Sequence, residues 1–195
     1  FKLRTPGDAI ETRAYIQEHG VRRAVVVGGG FIGLEAAENL KAQGVDVTVI
    51  EFAGQILPNI LDPEMAGYVK KHLQKNGIRV LTGTKAEEIL GETAVSGVKS
   101  SAGTIQAGLV ILAVGIRPNT DFLAGSGIAL QKGTIVTDKQ LRTNLPDIYA
   151  AGDCALVTNR ITEAAFWSPM GSSANMEGRT LAQVLTGTAK EYPGV

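Results

Sequence analysis

Short apolar runs rich in β-branched residues stand at residues 24–27 and 109–114. Continuous runs, as opposed to alternating ones, mark strands buried on both faces of a parallel sheet. The run Ala24-Val25-Val26-Val27 leads into a glycine cluster and then a helix-forming stretch, 34–43, closed by Gly44. The next strand, 45–50, ends on Glu51, which completes a βαβ unit. Asp62-Pro63-Glu64 joins a capping acid, a proline suited to the first helical position and a first-turn acid. It predicts a helix to about Asn76, stopped by Gly77, with a strand at 78–81. Ahead of the first strand, residues 8–19 read as a short polar helix that Gly20 stops.

From Glu87 to Gly108 the short runs 94–99 and 104–106 are separated by turn residues and predict an antiparallel meander before 109–114 rejoins the sheet. Beyond Asn119 come a strand-like pair (135–137 and 141–143), a buried-strand run at 148–151 and a helix at 172–185. One buried strand and one helix cannot cover each other's apolar faces alone, so this tail reads as part of a second domain. The expected class is α/β: a Rossmann-type parallel sheet with helices on both faces, a small antiparallel β-meander and a partial second domain. The expected organisation is a leading helical segment (1–21), a dinucleotide-binding domain (22–118) and the tail (119–195).

Composition narrows the partners. Lys+Arg and Asp+Glu both number 19, which leaves no charge excess to hold a nucleic-acid backbone. No apolar run is long enough to cross a bilayer. The one cysteine, Cys154, excludes an internal disulfide and any Cys-x-x-Cys pair, in keeping with a reducing cytoplasm. No cluster of metal-ligating residues stands out, so no metal is expected. The chain begins at Phe1 without a signal-peptide pattern, and reads as a piece of a longer protein.

The chemistry centres on Gly28-Gly29-Gly30-Phe31-Ile32-Gly33. In such a Gly-x-Gly-x-x-Gly turn, Gly28 makes the tight strand-to-helix turn and Gly30 lets backbone approach a pyrophosphate. Gly33 allows helix and strand to pack closely. The helix start then offers N–H groups and a positive dipole end to the phosphates. Alone the motif is weak. Here it follows a buried strand, opens a helix, and is answered about twenty residues on by Glu51. A carboxylate there accepts the ribose hydroxyls of NAD(H) and repels the 2′-phosphate of NADP(H), and Phe52-Ala53-Gly54 brings no cation to receive that phosphate. The competing reading of Glu51 is a solvated surface acid.

Three segments carry a family resemblance: Gly-Gly-Gly-Phe-Ile-Gly-Leu-Glu at 28–35, Val114-Gly115-Ile116-Arg117-Pro118-Asn119, and Ala150-Ala151-Gly152-Asp153-Cys154-Ala155. Together, and in this order, they resemble the FAD-dependent pyridine nucleotide-disulfide oxidoreductases. The segment from Phe166 to Asn175 is similar to that of coenzyme A disulfide reductases and NADH oxidases.

The resemblance implies that Glu35 holds the nicotinamide carboxamide and Ile32 lies beside the ring. It makes Phe31 a lid over the flavin, where many relatives carry tyrosine. Gly115 turns closely against NAD, and Gly152-Asp153 follows a buried FAD-domain strand, with Asp153 on the flavin ribityl chain. The helix after Met170 points at the flavin pyrimidine edge. The plainer alternatives are packing roles for Phe31 and Ile32, a surface acid at Glu35, a strand-ending glycine at Gly115 and a turn aspartate at 153. No catalytic residue is expected in this chain, because the family's redox cysteine lies in an N-terminal FAD-binding half that these residues do not include. Cys154 lacks an adjacent base, and His19 and His72 read as solvated.

The implied activity is hydride transfer from NADH to FAD, and onward to a coenzyme A disulfide-like acceptor, oxygen or peroxide. The implied partners are the N-terminal FAD-binding half and a C-terminal dimerisation domain. Two alternatives stay open: a stand-alone NAD-binding regulatory module, and a fragment of a rubredoxin or ferredoxin reductase.

Overall fold

The computed structural model describes residues 1–189 and 191–195. They divide into two compact units, Phe1–Gly115 and Ile116–Val195.

The first unit opens with α1 (Pro6–Glu18). Its start is a capping box: Thr5 Oγ1 accepts from the Asp8 N–H, and Asp8 Oδ2 accepts from the Thr5 N–H at 2.6 Å. Asp8 therefore lies inside the helix and does not begin it, because Pro6 already fits the first helical position. The chain continues through β1 (Arg23–Val27), α2 (Phe31–Ala42), β2 (Asp46–Ile50), α3 (Pro63–Lys75) and β3 (Arg79–Leu81). A meander follows, of β4 (Ala86–Leu90), β5 (Gly97–Ser100) and β6 (Gly103–Gln106), and then β7 (Leu109–Leu112).

The main sheet has the order β3-β2-β1-β7, and every pairing in it is parallel. Val25 lies in register with Thr48 on one side and Val110 on the other. Successive residues of β1 point to opposite faces. Val26 joins Val49, Leu109 and Ile111 in a core shared with Ile16 of α1, Leu34 and Leu40 of α2, and Leu73 of α3. Val25 joins Ile50, Val110 and Val98 of the meander. The α/β class is as expected, with one change of detail: the buried residues of α1, α2 and α3 gather in the first core, and the other face is covered by the meander instead of by helices. Val25 and Val26 are fully buried, which explains the unbroken apolar run; each such side chain contributes about 1.5–3 kcal/mol.

The second unit contains a short 3-10 turn (Asp121–Leu123) and the strands β8 (Leu130–Gln131), β9 (Thr134–Val136), β10 (Ala155–Thr158) and β11 (Ala165–Phe166). It ends with α4 (Gly171–Leu185). Its sheet order is β11-β10-β9-β8, parallel only between β9 and β10. Its core gathers Ile135, Leu141, Ala150, Ala155, Val157 and Tyr192.

Two expectations are corrected here. Residues 141–143 do not pair as a strand with 135–137, since β9 pairs with β8 through a hairpin whose central residues, Lys132 and Gly133, both have positive φ. The run 148–151 is not a strand either. Tyr149 makes one isolated bridge to Arg142, and the parallel partner of β9 is the next apolar run, 155–158. Gly152 and Asp153 thus precede a strand and do not follow one. Leu141 has φ 61° and is fully buried, so the apolar character of this stretch serves a packed loop.

Helix α2 begins at Phe31, ahead of the expected 34, so Gly33 lies in its first turn. A Cβ on Gly33 would overlap the carbonyl oxygen of Gly28, a backbone atom that cannot move aside. Gly33→Ala is expected to destabilise the first unit by roughly 3 kcal/mol, read by chemical denaturation. A melt unchanged by the substitution would contradict this close packing.

Candidate functional site

The site in the first unit is the turn where β1 gives way to α2. Gly28 has φ 113°, and a Cβ there would overlap the Ala113 carbonyl oxygen, so only glycine fits. The Gly28 N–H donates to Ile50 O at 2.8 Å and ties the turn to the end of β2. Gly30, between the two crowded glycines, is different. It is the N-cap of α2 with φ −82°, and a Cβ there would meet nothing within 4 Å. No side chain caps α2, and no acid occupies its first turn. A positive helix end without a side-chain cap, beside open space, is the arrangement that accepts a phosphate.

Glu51 is half-buried and held from two directions. Its Oε2 accepts from Gly29 N–H at 2.6 Å, and its Oε1 accepts from Ala53 N–H at 2.7 Å. Gly29 O in turn accepts from Leu57 N–H at 3.0 Å. A carboxylate oxygen accepts more than one hydrogen bond, so both oxygens retain capacity for hydroxyl donors. A Cβ on Gly29 would be crowded by Ile56 Cγ2 and the Glu51 side chain, which explains the middle glycine of the Gly28-Gly29-Gly30 run.

Phe31 and Ile32 are 48% and 43% exposed, so neither is a core residue. Ile32 and the exposed Glu35 line a groove of about 410 Å³ with Leu3, Thr12 and Arg13 of the α1 segment. Gly115 closes the unit with φ 104° and open space around its Cα, a conformation that disfavours a side chain.

In the second unit, Gly152 has φ 85° and its N–H donates to Glu177 Oε2 at 2.6 Å. Glu177 is 1% exposed and is the one buried residue of α4. Burial pushes its carboxyl above the ordinary range, against the opposing pull of the Gly152 hydrogen bond. The Asp153 side chain is exposed and makes no hydrogen bond among the described residues, while its carbonyl accepts from Trp167 Nε1 at 2.8 Å. Met170 is the N-cap of α4 and its side chain makes no capping bond, and Ser168 and Ser173 bond to each other at 2.8 Å.

The remaining candidates are tied into local structure. Burial raises the Cys154 thiol above its ordinary range, and its Sγ contacts Ala151 O at 3.6 Å. His19 stacks on Tyr15 and bonds to its carbonyl, and His72 bonds to Asn76. Among the described residues no group of His, Cys, Asp or Glu could hold a metal, and no helix is long and apolar enough to cross a membrane.

The structure thus brings Gly28, Gly30, Gly33 and Glu51 to one end of the parallel sheet, and places Gly152 and Asp153 in the other unit. Sequence reasoning missed Glu177. In Asn175-Met176-Glu177-Gly178-Arg179 it reads as one more solvated helix acid, and its partner is 25 residues away.

The chain is 40% identical over 194 residues to an NADH oxidase of Methanocaldococcus jannaschii, covering 99% of this chain and 43% of that protein. It is 33% identical to an NAD(P)H coenzyme A polysulfide/persulfide reductase of Pyrococcus horikoshii, covering all of this chain and 44% of that one. The crystal structure of reduced Bacillus anthracis CoADR-RHD superimposes with a TM-score of 0.93 at 36% identity, over 100% of this chain and 35% of that one. The chain therefore spans less than half the length of these relatives. Residues 2–173 match the model of the pyridine nucleotide-disulphide oxidoreductases, and the chain belongs to that family of NAD(P)H-dependent flavin oxidoreductases.

Proposed function

We propose that this chain is the NAD(H)-binding part, and a portion of the FAD-binding part, of a flavoenzyme that passes hydride from NADH to FAD. The observation that carries this reading is the contrast along the glycine turn. Gly28 and Gly33 have no room for a side chain because protein backbone fills the space, whereas Gly30 faces open space at the start of a helix with no side-chain cap. Open space there fits a pyrophosphate against the α2 N-terminus. Glu51, held by the Gly29 and Ala53 N–H groups, meets the adenosine ribose and disfavours a 2′-phosphate, so NADH is the preferred donor.

The other residues follow in role. Ile32 and Glu35, exposed on successive turns of α2, take the nicotinamide ring and its carboxamide, and Phe31 covers the flavin until nicotinamide arrives. Gly115 lets the chain pass close to the bound dinucleotide. The flavin, when bound, supplies the hydride-accepting chemistry. Asp153 presents a free carboxylate to its ribityl hydroxyls, and α4 turns its positive end toward the pyrimidine edge.

The electron acceptor in this reading is a coenzyme A disulfide-like compound, oxygen or peroxide; relatives named as an NADH oxidase and a coenzyme A polysulfide/persulfide reductase support it. The family's redox cysteine, the first FAD-binding glycine turn and a dimerisation domain belong to the remaining length of such proteins. The setting is the cytoplasm, in keeping with a single cysteine.

Two measurements test the dinucleotide site. NADH should bind at least ~10-fold more tightly than NADPH by calorimetry, the scale of one repelled charge contact. Glu51→Ala should weaken NADH and narrow that gap, while equal affinities in the unsubstituted chain would refute the assignment. Gly30→Ala should leave the melting temperature unchanged, since φ −82° and open space accept a methyl, and should reduce NADH affinity at least ~10-fold. A Gly30→Ala protein with normal affinity would show that the turn does not hold the pyrophosphate.

A further inference from the structure

We propose that Glu177 is a positioning residue that holds the Gly152–Asp153 turn, so that the Asp153 carboxylate is presented in one fixed place. The inference rests on the reading of Asp153 as a flavin ligand, and it concerns a residue that does not itself face the ligand.

The turn is tied at four backbone groups around Asp153. The Gly152 N–H donates to Glu177 Oε2, and Gly152 O accepts from Ala155 N–H at 2.9 Å. Asp153 O accepts from the Trp167 indole, and Cys154 O accepts from Ile135 N–H at 2.8 Å, which anchors the far end to β9. The Asp153 side chain, by contrast, is exposed and unbonded. A fixed backbone carrying a free carboxylate is a presented ligand, and its geometry is set by these partners.

Among them Glu177 is the costly one. A carboxylate at 1% exposure loses its water, and no cation forms a salt bridge with it among the described residues. The titratable groups that sense its charge are Asp153 and Cys154 of the turn and Tyr192 of the C-terminal segment, all acidic. Tyr192 adds a buried hydroxyl without a hydrogen-bond partner. Packing alone would be served better by an apolar side chain, so the acid is kept for its acceptor oxygen. A glycine at φ 85° also needs such a clamp, because a glycine backbone is freer than that of any other residue type.

The test uses Glu177→Gln, which keeps an acceptor oxygen, Glu177→Ala, which removes it, and Asp153→Ala. In the 195-residue chain, the Gly152 amide should exchange with solvent about ten-fold or more faster in Glu177→Ala and stay protected in Glu177→Gln. In the flavin-loaded enzyme, Glu177→Ala should raise the FAD Kd about ten-fold, with rescue to within about two-fold by Glu177→Gln. In the Asp153→Ala background the Glu177→Ala effect should shrink to less than about two-fold, the signature of one residue acting through another.

An Asp153→Ala enzyme with normal FAD affinity would sink the flavin reading. The Glu177 clamp would then stand or fall on amide exchange alone, and unaltered exchange in Glu177→Ala overturns it. Weakened FAD in Asp153→Ala with normal FAD affinity in Glu177→Ala overturns the positioning role and leaves the flavin reading intact.

If Glu177→Ala does not fold, the unsubstituted chain decides. The Gly152 amide proton, bonded to a carboxylate, moves when that carboxylate takes up a proton, and a resonance that stays still through the titration of Glu177 overturns the proposal. The pH sign is fixed as well. A folded-state pKa raised above the ordinary value gives stability that is full below that value and lost as pH rises through the folded one. The second unit should therefore lose stability as pH rises above the ordinary carboxylate range, and Glu177→Gln should flatten that slope.

Discussion

The Cα of Gly33 sits so close to the carbonyl oxygen of Gly28 that no side chain fits between them. That contact draws the first turn of α2 down onto the end of β1, and everything else at the dinucleotide site is arranged around it. Because the helix is pulled in, its N-terminal N–H groups arrive at the C-terminal edge of the sheet. Because β1 is central, with β2 on one side and β7 on the other, the same edge also carries Glu51 and the residues after β7. A parallel sheet buried on both faces supplies the rigidity: Val25 and Val26 point to opposite cores, and neither core can shift without the other.

The two units use the same device in different surroundings. In each, a glutamate accepts a hydrogen bond from a glycine N–H at 2.6 Å: Gly29 to Glu51 in one, Gly152 to Glu177 in the other. Glycine permits the close approach, and the carboxylate gives a stronger bond than a neutral acceptor would. The difference lies in solvent. Glu51 is half-buried and keeps oxygen lone pairs for a ligand, whereas Glu177 is sealed and serves the backbone alone.

Much of the first unit is legible in the sequence because its signals are local. A β-branched run, a glycine turn, a helix and a Gly stop lie within one βαβ stretch, and Asp62-Pro63 marks the start of α3 by chemistry confined to adjacent residues. The second unit is less legible because its organisation depends on distant partners. The run 148–151 has the composition of a strand, yet Ala155–Thr158 takes the place beside β9, and nothing in either run alone decides between them. The Lys132-Gly133 hairpin was hidden because lysine is not a residue that advertises positive φ. Coverage of one sheet face by the meander instead of a helix was equally silent, since an unbroken apolar run says that both faces are buried and not by what. Glu177 shows the same limit at a single position.

The strand order β3-β2-β1-β7 also fixes the order in which the first unit can be completed. β1, β2 and β3 are joined by short helical crossovers and can assemble as they leave the ribosome. The other edge of β1 must wait for Leu109–Leu112, since Val25 pairs with Val110. Until then this central strand has an open edge and an uncovered face, the state in which a chain pairs with its neighbours. The meander shortens that exposure. Its hairpins form from contacts a few residues apart, and β6 ends at Gln106, close in sequence to where β7 begins. Closing the long loop is thereby reduced to docking a preassembled piece, which lowers the entropic cost that slows high-contact-order sheets.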